Sequence, residues 1–427
     1  MRLSSPAALL AILVLPAALS AQDTTSRGVR IGLTYDPGTK PGVVVLPVSG
    51  AGADSIGAIV ARDLDLGDRI NVIALDASAA RLAGRTSLPN WALLAQLGAA
   101  AAVQVTPLAK GGLHLAVYDV AKKQTALIRD YPAPPMSDGR AWRAAVHTLS
   151  DELEESLTGT RGIARTRVLF ERGRRLWTVD ADGAGETAVS DVGTPVSGGW
   201  SPDGRLIAYS TYVPSQIVVQ ELATGRTRTI GGGSGVYISP VFTPDGASVV
   251  YAHGVDDGVD LYAVPVAGGS ARRLSVGRGS DNVSPTVSPD GRRIAFMSGR
   301  AGHPEIYTMD ADGTNTDLLT PLDVSEGAYR ASPDWSPDGR LVAFQSRVGS
   351  IFQIFTASLR DRSLRQLTSD GRNEDPSWAP DGRHLVFVSD RGGVRQLWVL
   401  DAESGRTRQL TRGASARAPA WSPRLGN

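Results

Sequence analysis

A turn motif recurs six times in the second half of the chain, and this repeat restricts the fold more than any other sequence feature. Its complete form is an aromatic residue followed by Ser-Pro-Asp-Gly-Arg, and the copies begin at Trp200, Phe242, Val287, Trp335, Trp378 and Trp421. Successive copies lie 42, 45, 48, 43 and 43 residues apart. Each complete turn is followed by short β-rich runs, and four short strands in about 44 residues are typical of one propeller blade. The repeat therefore predicts an all-β six-bladed β-propeller over residues 163–427.

The residue types of the motif explain a turn without any catalytic role. Ser or Thr can bond its own backbone, Pro presets φ at the next corner, and Gly takes the left-handed conformation that closes a hairpin. The motif aspartates are accordingly predicted to be turn residues: Asp203, Asp245, Asp290, Asp338 and Asp381. The large residue before each turn is predicted to pack between neighbouring blades, because one blade cannot bury both of its faces.

The order of the strands assigns the loops to two faces. The Pro-Asp-Gly turns and the later Asp-Gly turns should lie on one face, whereas the blade-to-blade crossings and the loops between second and third strands should lie on the other. The sequence of the first face is uniform and that of the second is irregular, so we expect the binding site on the crossing-loop face. The last copy ends just after its innermost strand, so segments 166–171 and 176–179 should supply the outer strands and close the ring.

The beginning of the chain is typical of a secretory signal peptide. Arg2 precedes an apolar stretch from Ala7 to Leu19, and small residues at Ser20 and Ala21 are followed by polar residues. We therefore expect residues 1–21 to be a signal peptide, with no integral membrane segment in the mature protein. Cysteine is absent and the formal net charge is +1, which argues against disulfides, thiolate metal sites and a nucleic-acid partner. The expected compartment is the periplasm.

Residues 22–162 lack the repeat and are predicted to form an α/β domain. Helices are expected from Asp54 to Leu66, from Trp91 to Leu97 and from about Asp138 to Leu157. The last of these places an apolar stripe on one face, formed by Trp142, Val146, Leu149, Leu153 and Leu157. The opposite face is predicted to be a solvated acidic surface, formed by Asp151, Glu152, Glu154 and Glu155.

Sequence patterns for catalysis, cofactors and metals are missing, and no residue is assigned to any of these roles. The chain contains no Gly-x-Ser-x-Gly nucleophile elbow and no glycine-rich nucleotide fingerprint, and its five histidines are scattered. His253 with Asp256, Asp257 and Asp260 is the one mixed polar cluster that could hold a cation, and a solvated loop is the favoured interpretation. A hydrolase or lyase acting on glycan or peptide in the propeller funnel stays open as the alternative function.

The mature chain resembles the TolB family of the Tol-Pal system. The resemblance rests on Leu157-Thr-Gly-Thr-Arg-Gly162 leading into Arg165-Thr-Arg-Val168, on the six blades, and on the terminal Pro419-Ala-Trp-Ser-Pro423. It implies a non-enzymatic periplasmic adaptor that supports outer-membrane integrity and cell division. The implied partners are the peptidoglycan-associated lipoprotein Pal at the propeller, TolA at the N-terminal segment, and other outer-membrane proteins.

The resemblance also implies positions for partner contacts. The TolA-binding segment would fall on residues 22–38, where Val29, Arg30 and Ile31 match the start of the family's segment. The Pal-facing rim would include the crossing loop from Glu326 to Asp334. The expected contact residues on this face are Glu326, Tyr329, Arg330, Arg372, Asn373 and Glu374.

Overall fold

The computed structural model describes residues 31–33, 39–48, 53–82, 89–190, 194–255, 258–277, 280–322 and 327–426. The signal peptide expected at residues 1–21 lies outside them. The first part of the chain forms an α/β unit with the elements β1 Gly42–Val45, α1 Ala53–Leu66, β2 Asn71–Val72, α2 Ala77–Leu82, α3 Trp91–Gln96, β3 Ala101–Pro107, β4 Leu113–Asp119, β5 Gln124–Tyr131 and α4 Gly139–Thr158.

The α/β unit is built on one mixed sheet with the strand order β2-β1-β3-β4-β5. Strand β1 runs parallel to β2 and β3, whereas β3, β4 and β5 form an antiparallel meander. Helices α1 and α4 pack on the sheet, and the predicted apolar stripe of α4 is buried in that core. The sequence predicts a strand from Ile70 to Leu75, but β2 has only two residues there and the short helix α2 follows it. Among the described residues, none of the helices has the length and apolar character needed to cross a bilayer.

The second part of the chain supplies the strands of the propeller. They are β6 Arg167–Arg172, β7 Arg175–Asp180, β8 Thr187–Ala188, β9 Pro195–Trp200, β10 Leu206–Thr211, β11 Gln216–Glu221, β12 Thr227–Gly232, β13 Val236–Phe242, β14 Ser248–Val255, β15 Gly258–Pro265, β16 Arg272–Arg273, β17 Asn282–Val287, β18 Arg293–Ser298, β19 Glu305–Asp310, β20 Asp317–Leu318, β21 Arg330–Trp335, β22 Leu341–Val348, β23 Ile351–Ser358, β24 Leu364–Gln366, β25 Asn373–Trp378, β26 His384–Ser389, β27 Gln396–Asp401, β28 Thr407–Gln409 and β29 Arg417–Trp421.

These strands form six antiparallel four-stranded sheets, which confirms the predicted six-bladed propeller. Blades 1 to 5 each use four consecutive strands, from β9–β12 to β25–β28. The sixth blade has the order β29-β6-β7-β8, so the end of the chain pairs with the start of the propeller. In its register Ala420 faces Leu169 and Trp421 faces Val168. The ring is therefore closed by strand pairing between its two ends, as the sequence predicts.

The repeated turns are held by the side chains that the motif supplies. In the first blade, the Ser201 hydroxyl donates to Asp203 Oδ1 at 2.6 Å and accepts from the Leu206 amide at 2.8 Å. The turns at Thr243, Ser288 and Ser336 repeat both bonds. The aromatic residue before the turn is buried between blades, and Val287 is half-buried at the same position; Trp335, for example, packs among residues of blades 3 and 4. Both predictions about the motif are confirmed.

The α/β unit docks on the turn face of blades 5 and 6. Asp68, just beyond α1, is 1% exposed and lies 3.3 Å from His384 Nε2 and 2.8 Å from an Arg406 nitrogen of blade 5. Arg143 of α4 donates to Asp182 of blade 6 at 2.7 Å. This docking covers part of the turn face and leaves the crossing-loop face on the opposite side of the ring.

The acidic face of α4 is not the solvated surface that the sequence predicts. Asp151 and Glu154 are each 2% exposed, because this face points toward the propeller and the linker that leads into it. Asp151 accepts hydrogen bonds from the backbone amides of Ala164 at 2.7 Å and Arg165 at 3.0 Å. Glu154 lies 3.4 Å from Arg69. The two acids therefore join α4 to the linker and the domain contact, and the prediction was wrong for them.

Candidate protein-binding face of the propeller

Large exposed apolar side chains of the propeller are confined to one face. Among the described residues, all ten lie in the crossings, in the loops between second and third strands, or at the strand ends that border them: Val196, Tyr212, Val213, Val236, Val255, Val276, Leu322, Val348, Ile351 and Val394. We call this set the apolar rim. Exposed apolar residues scattered over a surface need no explanation, but a set confined to one face indicates a protein-binding surface.

The centre of the ring holds an open cavity of about 230 Å³, lined by three consecutive residues from the innermost strand of each blade. In five blades the first of these three residues has a positive φ and precedes proline: Ser239, Ser284, Ser332, Asp375 and Ala418. A register shift in the pairing of each innermost strand occurs at the same place. This register shift is a β-bulge, and it repeats from blade to blade around the axis. It is therefore a regular structural feature of the cavity wall.

Two carboxylates of the cavity wall connect neighbouring blades. Asp334 accepts from the Trp378 amide at 2.7 Å, and burial raises the pKa of its carboxyl to about 6. Asp375 accepts from the Ser332 hydroxyl at 2.9 Å, and burial raises the pKa of this carboxyl as well. Histidine is missing from the described residues that line the cavity. Asp334 and Asp375 are therefore the titratable groups of this lining, and their hydrogen bonds to neighbouring blades give them a structural role.

The loops of blades 4 and 5 place three of the predicted contact residues in one cluster. Tyr329 packs edge-on against Phe352, with ring centroids 5.4 Å apart, and the Arg372 guanidinium lies 5.8 Å from the same ring. Glu374 lies 3.2 Å from Arg372 and 3.4 Å from Arg395, and burial raises the pKa of its carboxyl. This loop cluster combines an aromatic platform with paired charges, the composition that strong protein interfaces use at their centre.

Two other predicted contact residues are buried anchors of the same loops. Asn373 has no exposed surface; it donates to Gln353 Oε1 at 2.7 Å and accepts from Arg391 at 2.9 Å. Arg330 is 7% exposed and donates to Glu305 Oε2 at 2.9 Å. In this conformation both side chains fix the crossing loops, and their neighbours present the surface.

The remaining predicted contacts lie at the margins of the described chain. Glu326, Val29 and Arg30 fall outside the described residues. Ile31 is half-buried; its amide donates to the Ser156 carbonyl at the end of α4 at 3.0 Å, and its side chain packs on the core of the α/β unit. Ile31 therefore lies beside the C-terminal end of α4.

The sequence did not single out Phe352, Arg395 or the apolar rim. A partial signal for the rim was present, because Val236, Leu322 and Val394 stand in irregular segments between predicted strands. The role of Phe352 depends on contacts with two other loops, Tyr329 before β21 and Arg372 before β25, and local sequence patterns do not encode such contacts.

The polar cluster considered around His253 is a structural one. The His253 ring stacks on Tyr237 with centroids 4.1 Å apart, and Asp260 is 6% exposed and accepts from Ser275 and Asn282. Asp256 and Asp257 lie outside the described residues. The interpretation of Asp260 as part of a solvated loop was therefore wrong, since its carboxylate supports the start of blade 3.

Comparisons with known proteins agree with this architecture. Residues 154–425 match the family model described as the TolB beta propeller domain. Tol-Pal system protein TolB from Bordetella pertussis is 31% identical over 179 residues, which cover 40% of this chain and 41% of that protein. The protein of the same name from Bordetella parapertussis is also 31% identical over 179 residues. The aligned region thus spans about two fifths of these curated relatives.

Solved structures show the same fold. A crystal structure of TolB from Acinetobacter baumannii matches with a TM-score of 0.77 and 24% identity, covering 92% of this chain and 100% of that one. A putative TolB from Agrobacterium tumefaciens matches with a TM-score of 0.50 and 22% identity, covering 60% of this chain and 91% of that one. Because the family model covers more than half of the sequence, the chain belongs to the TolB family.

Proposed function

We propose that this protein is a periplasmic, non-enzymatic adaptor of a Tol-Pal system. Its propeller binds a Pal-type lipoprotein through the crossing-loop face, and its N-terminal segment binds TolA. Through these two contacts it supports outer-membrane integrity and cell division. The proposal is supported by membership of the TolB family and by the relatives named as Tol-Pal system proteins.

The one-sided apolar rim is the observation that carries the proposal. Its ten members lie on the crossing-loop side of the ring, whereas the opposite face meets the α/β unit. A folded partner seated on this face would cover the rim together with the loop cluster. Standard protein interfaces bury about 1,600 Å² in total, an area that a propeller face of this kind can provide.

The test is a binding titration of the purified mature protein with the soluble domain of its Pal-type lipoprotein. Changing Arg372 to Ala should weaken binding about tenfold, because the guanidinium contacts Phe352 and pairs with Glu374 on the loop face. Arg360→Ala is the matched control, since Arg360 is exposed in a turn on the opposite face. Absence of binding by the unmodified protein, or equal loss in both variants, would count against the proposal.

The TolA contact is tested separately. Deleting residues 22–30 should abolish TolA binding and leave the folded core intact, because Ile31, whose amide and side chain contact the α/β unit, is retained. A variant with the same number of residues replaced by Gly and Ser controls for length. Undiminished TolA binding by the deletion variant would refute this assignment.

A further inference from the structure

His384 occupies an unusual position in the repeat. The fifth Pro-Asp-Gly turn has Ala379 where the four complete turns before it have Ser or Thr, so the turn aspartate lacks its usual hydroxyl partner. Asp381 bonds His384 instead, with Nδ1 and Oδ2 2.8 Å apart. His384 has no exposed surface, and it lies where this turn meets the α/β unit.

Both ring nitrogens of His384 face carboxylates. Nε2 lies 3.3 Å from Asp68 Oδ2 of the α/β unit, while Nδ1 faces Asp381 of the propeller. A neutral imidazole carries one N–H and can donate to one of these groups; its other nitrogen would then present a lone pair to a buried carboxylate. Both carboxylates therefore receive a hydrogen bond only from the imidazolium form, which links the two units by donating to each.

Cations and carboxylates surround His384 in the domain contact. Among the described residues, Asp68 also pairs with Lys40, Arg406 and Arg408, and Asp381 also pairs with Arg69. His384 is the one group in the described chain that forms ion pairs with both carboxylates. Loss of its proton leaves one of these buried carboxylates facing a ring nitrogen with no proton between them, which is costly.

We infer that His384 is the proton-dependent element of a clamp between the α/β unit and the propeller, closed in mild acid and loosened in alkaline solution. The neighbouring carboxylates hold the pKa of the buried imidazole above its ordinary value in spite of desolvation. For a raised histidine pKa, the stabilisation is complete below the ordinary value and is lost as the pH rises through the folded-state value. Arg408, whose pKa burial lowers to about 10, stays largely charged up to about pH 9.

The second buried histidine of the domain contact does not have this arrangement. His147 Nδ1 lies 2.8 Å from Asp63, and its Nε2 lies 3.4 Å from an Arg143 nitrogen and 3.9 Å from Asp180. A neutral ring can therefore donate to Asp63 and accept from Arg143. Asp180 and Asp182 have arginine partners of their own. The inference therefore rests on His384.

The test measures the separation of the two units by energy transfer between fluorophores. The chain has no cysteine, so Thr125→Cys on β5 and Arg360→Cys on the propeller give two unique labelling sites, both exposed. Between about pH 6 and about pH 9 the full-length protein should show a reversible fall in transfer efficiency, with the circular dichroism of the strands unchanged. His384→Gln should give the loosened signal at both pH values.

His303→Gln is the matched control, because His303 lies in a loop on the other face and should leave the pH response intact. The inference fails when the unsubstituted protein shows no change, or when His384→Gln keeps the full response. If the His384→Gln variant does not fold, nitrogen-15 NMR spectra of the histidine rings in the unsubstituted protein measure the protonation state of His384 instead. An imidazolium at His384 at about pH 7.5 supports the clamp, and a neutral ring there overturns it.

Discussion

Glu154 shows how one buried carboxyl makes the stability of the domain contact depend on pH. Burial raises the pKa of its side chain to about 7, with Arg69 as the opposing influence. Because the folded-state pKa lies above the unfolded one, the folded state loses stability as the pH rises from about 4.5 to about 7. Glu154→Gln should therefore raise the free energy of unfolding at pH 8 by about 1–3 kcal/mol and change it little at pH 5. Urea titrations at both pH values measure this, and an equal effect at both would contradict it.

Asp68 concentrates positive charge in the same contact. It faces Arg406 at 2.8 Å and Arg408 at 3.6 Å, and it adopts a φ of 54°, which asparagine tolerates better than most residues. Asp68→Asn should cost about 3 kcal/mol, because it removes the carboxylate that Arg408 and the buried His384 share without straining the backbone. Asp290→Asn, in an exposed turn, is the control and should destabilise the protein much less. Thermal unfolding of the two variants compares them, and equal costs would show that the charge of Asp68 has no special role.

The closing strand is the element on which the ring depends. Removing residues 417–427 takes away β29, leaves the edge of β6 unpaired and opens the site where Trp421 packs between blades 5 and 6. An open edge invites pairing with other chains, so this truncation should lower the melting temperature and produce aggregates in size-exclusion chromatography. Removing residues 426–427 alone keeps the strand and should behave like the full-length protein. A monomeric, fully stable 417–427 deletion would contradict the role given to the closure.

Elements differ in how far the sequence predicts them. The blade turns were predictable because Ser201 and Asp203 satisfy each other within one turn. The apolar stripe of α4 was predictable from its spacing, whereas the burial of Asp151 and Glu154 was not. Their partners, the amide of Ala164 and the side chain of Arg69, come from segments that meet α4 only after the two units dock. A pattern of acidic residues on a helix face is the same whether water or another unit covers it.

At the scale of the whole molecule, the strand order predicts which loops lie on each face of the propeller. Tertiary contacts determine which face the α/β unit covers. Antiparallel order alone places the Pro-Asp-Gly turns opposite the crossings, so the candidate face could be chosen before any side chain was located. The docking site of the α/β unit could not, because it depends on charges contributed by distant parts of the chain, such as Asp68 and Arg406. The replacement of Ser or Thr by Ala379 and the presence of His384 were the sequence signals that blade 5 differs.

The apolar rim leads to a prediction that separates binding from folding. Val276 and Leu322 are 75% and 52% exposed in two successive crossings, so replacing both with Ser removes apolar surface that the fold does not use. The free energy of unfolding should stay within about 0.5 kcal/mol of that of the unsubstituted protein, as for exposed positions in general. Affinity for the Pal-type lipoprotein should fall, because less apolar surface is buried when the partner binds. Leu82→Ser, at an exposed apolar position of the α/β unit, is the control and should leave affinity unchanged. Calorimetric titration of the two variants distinguishes the cases, and an unaltered affinity of the double variant would place the partner on another part of the molecule.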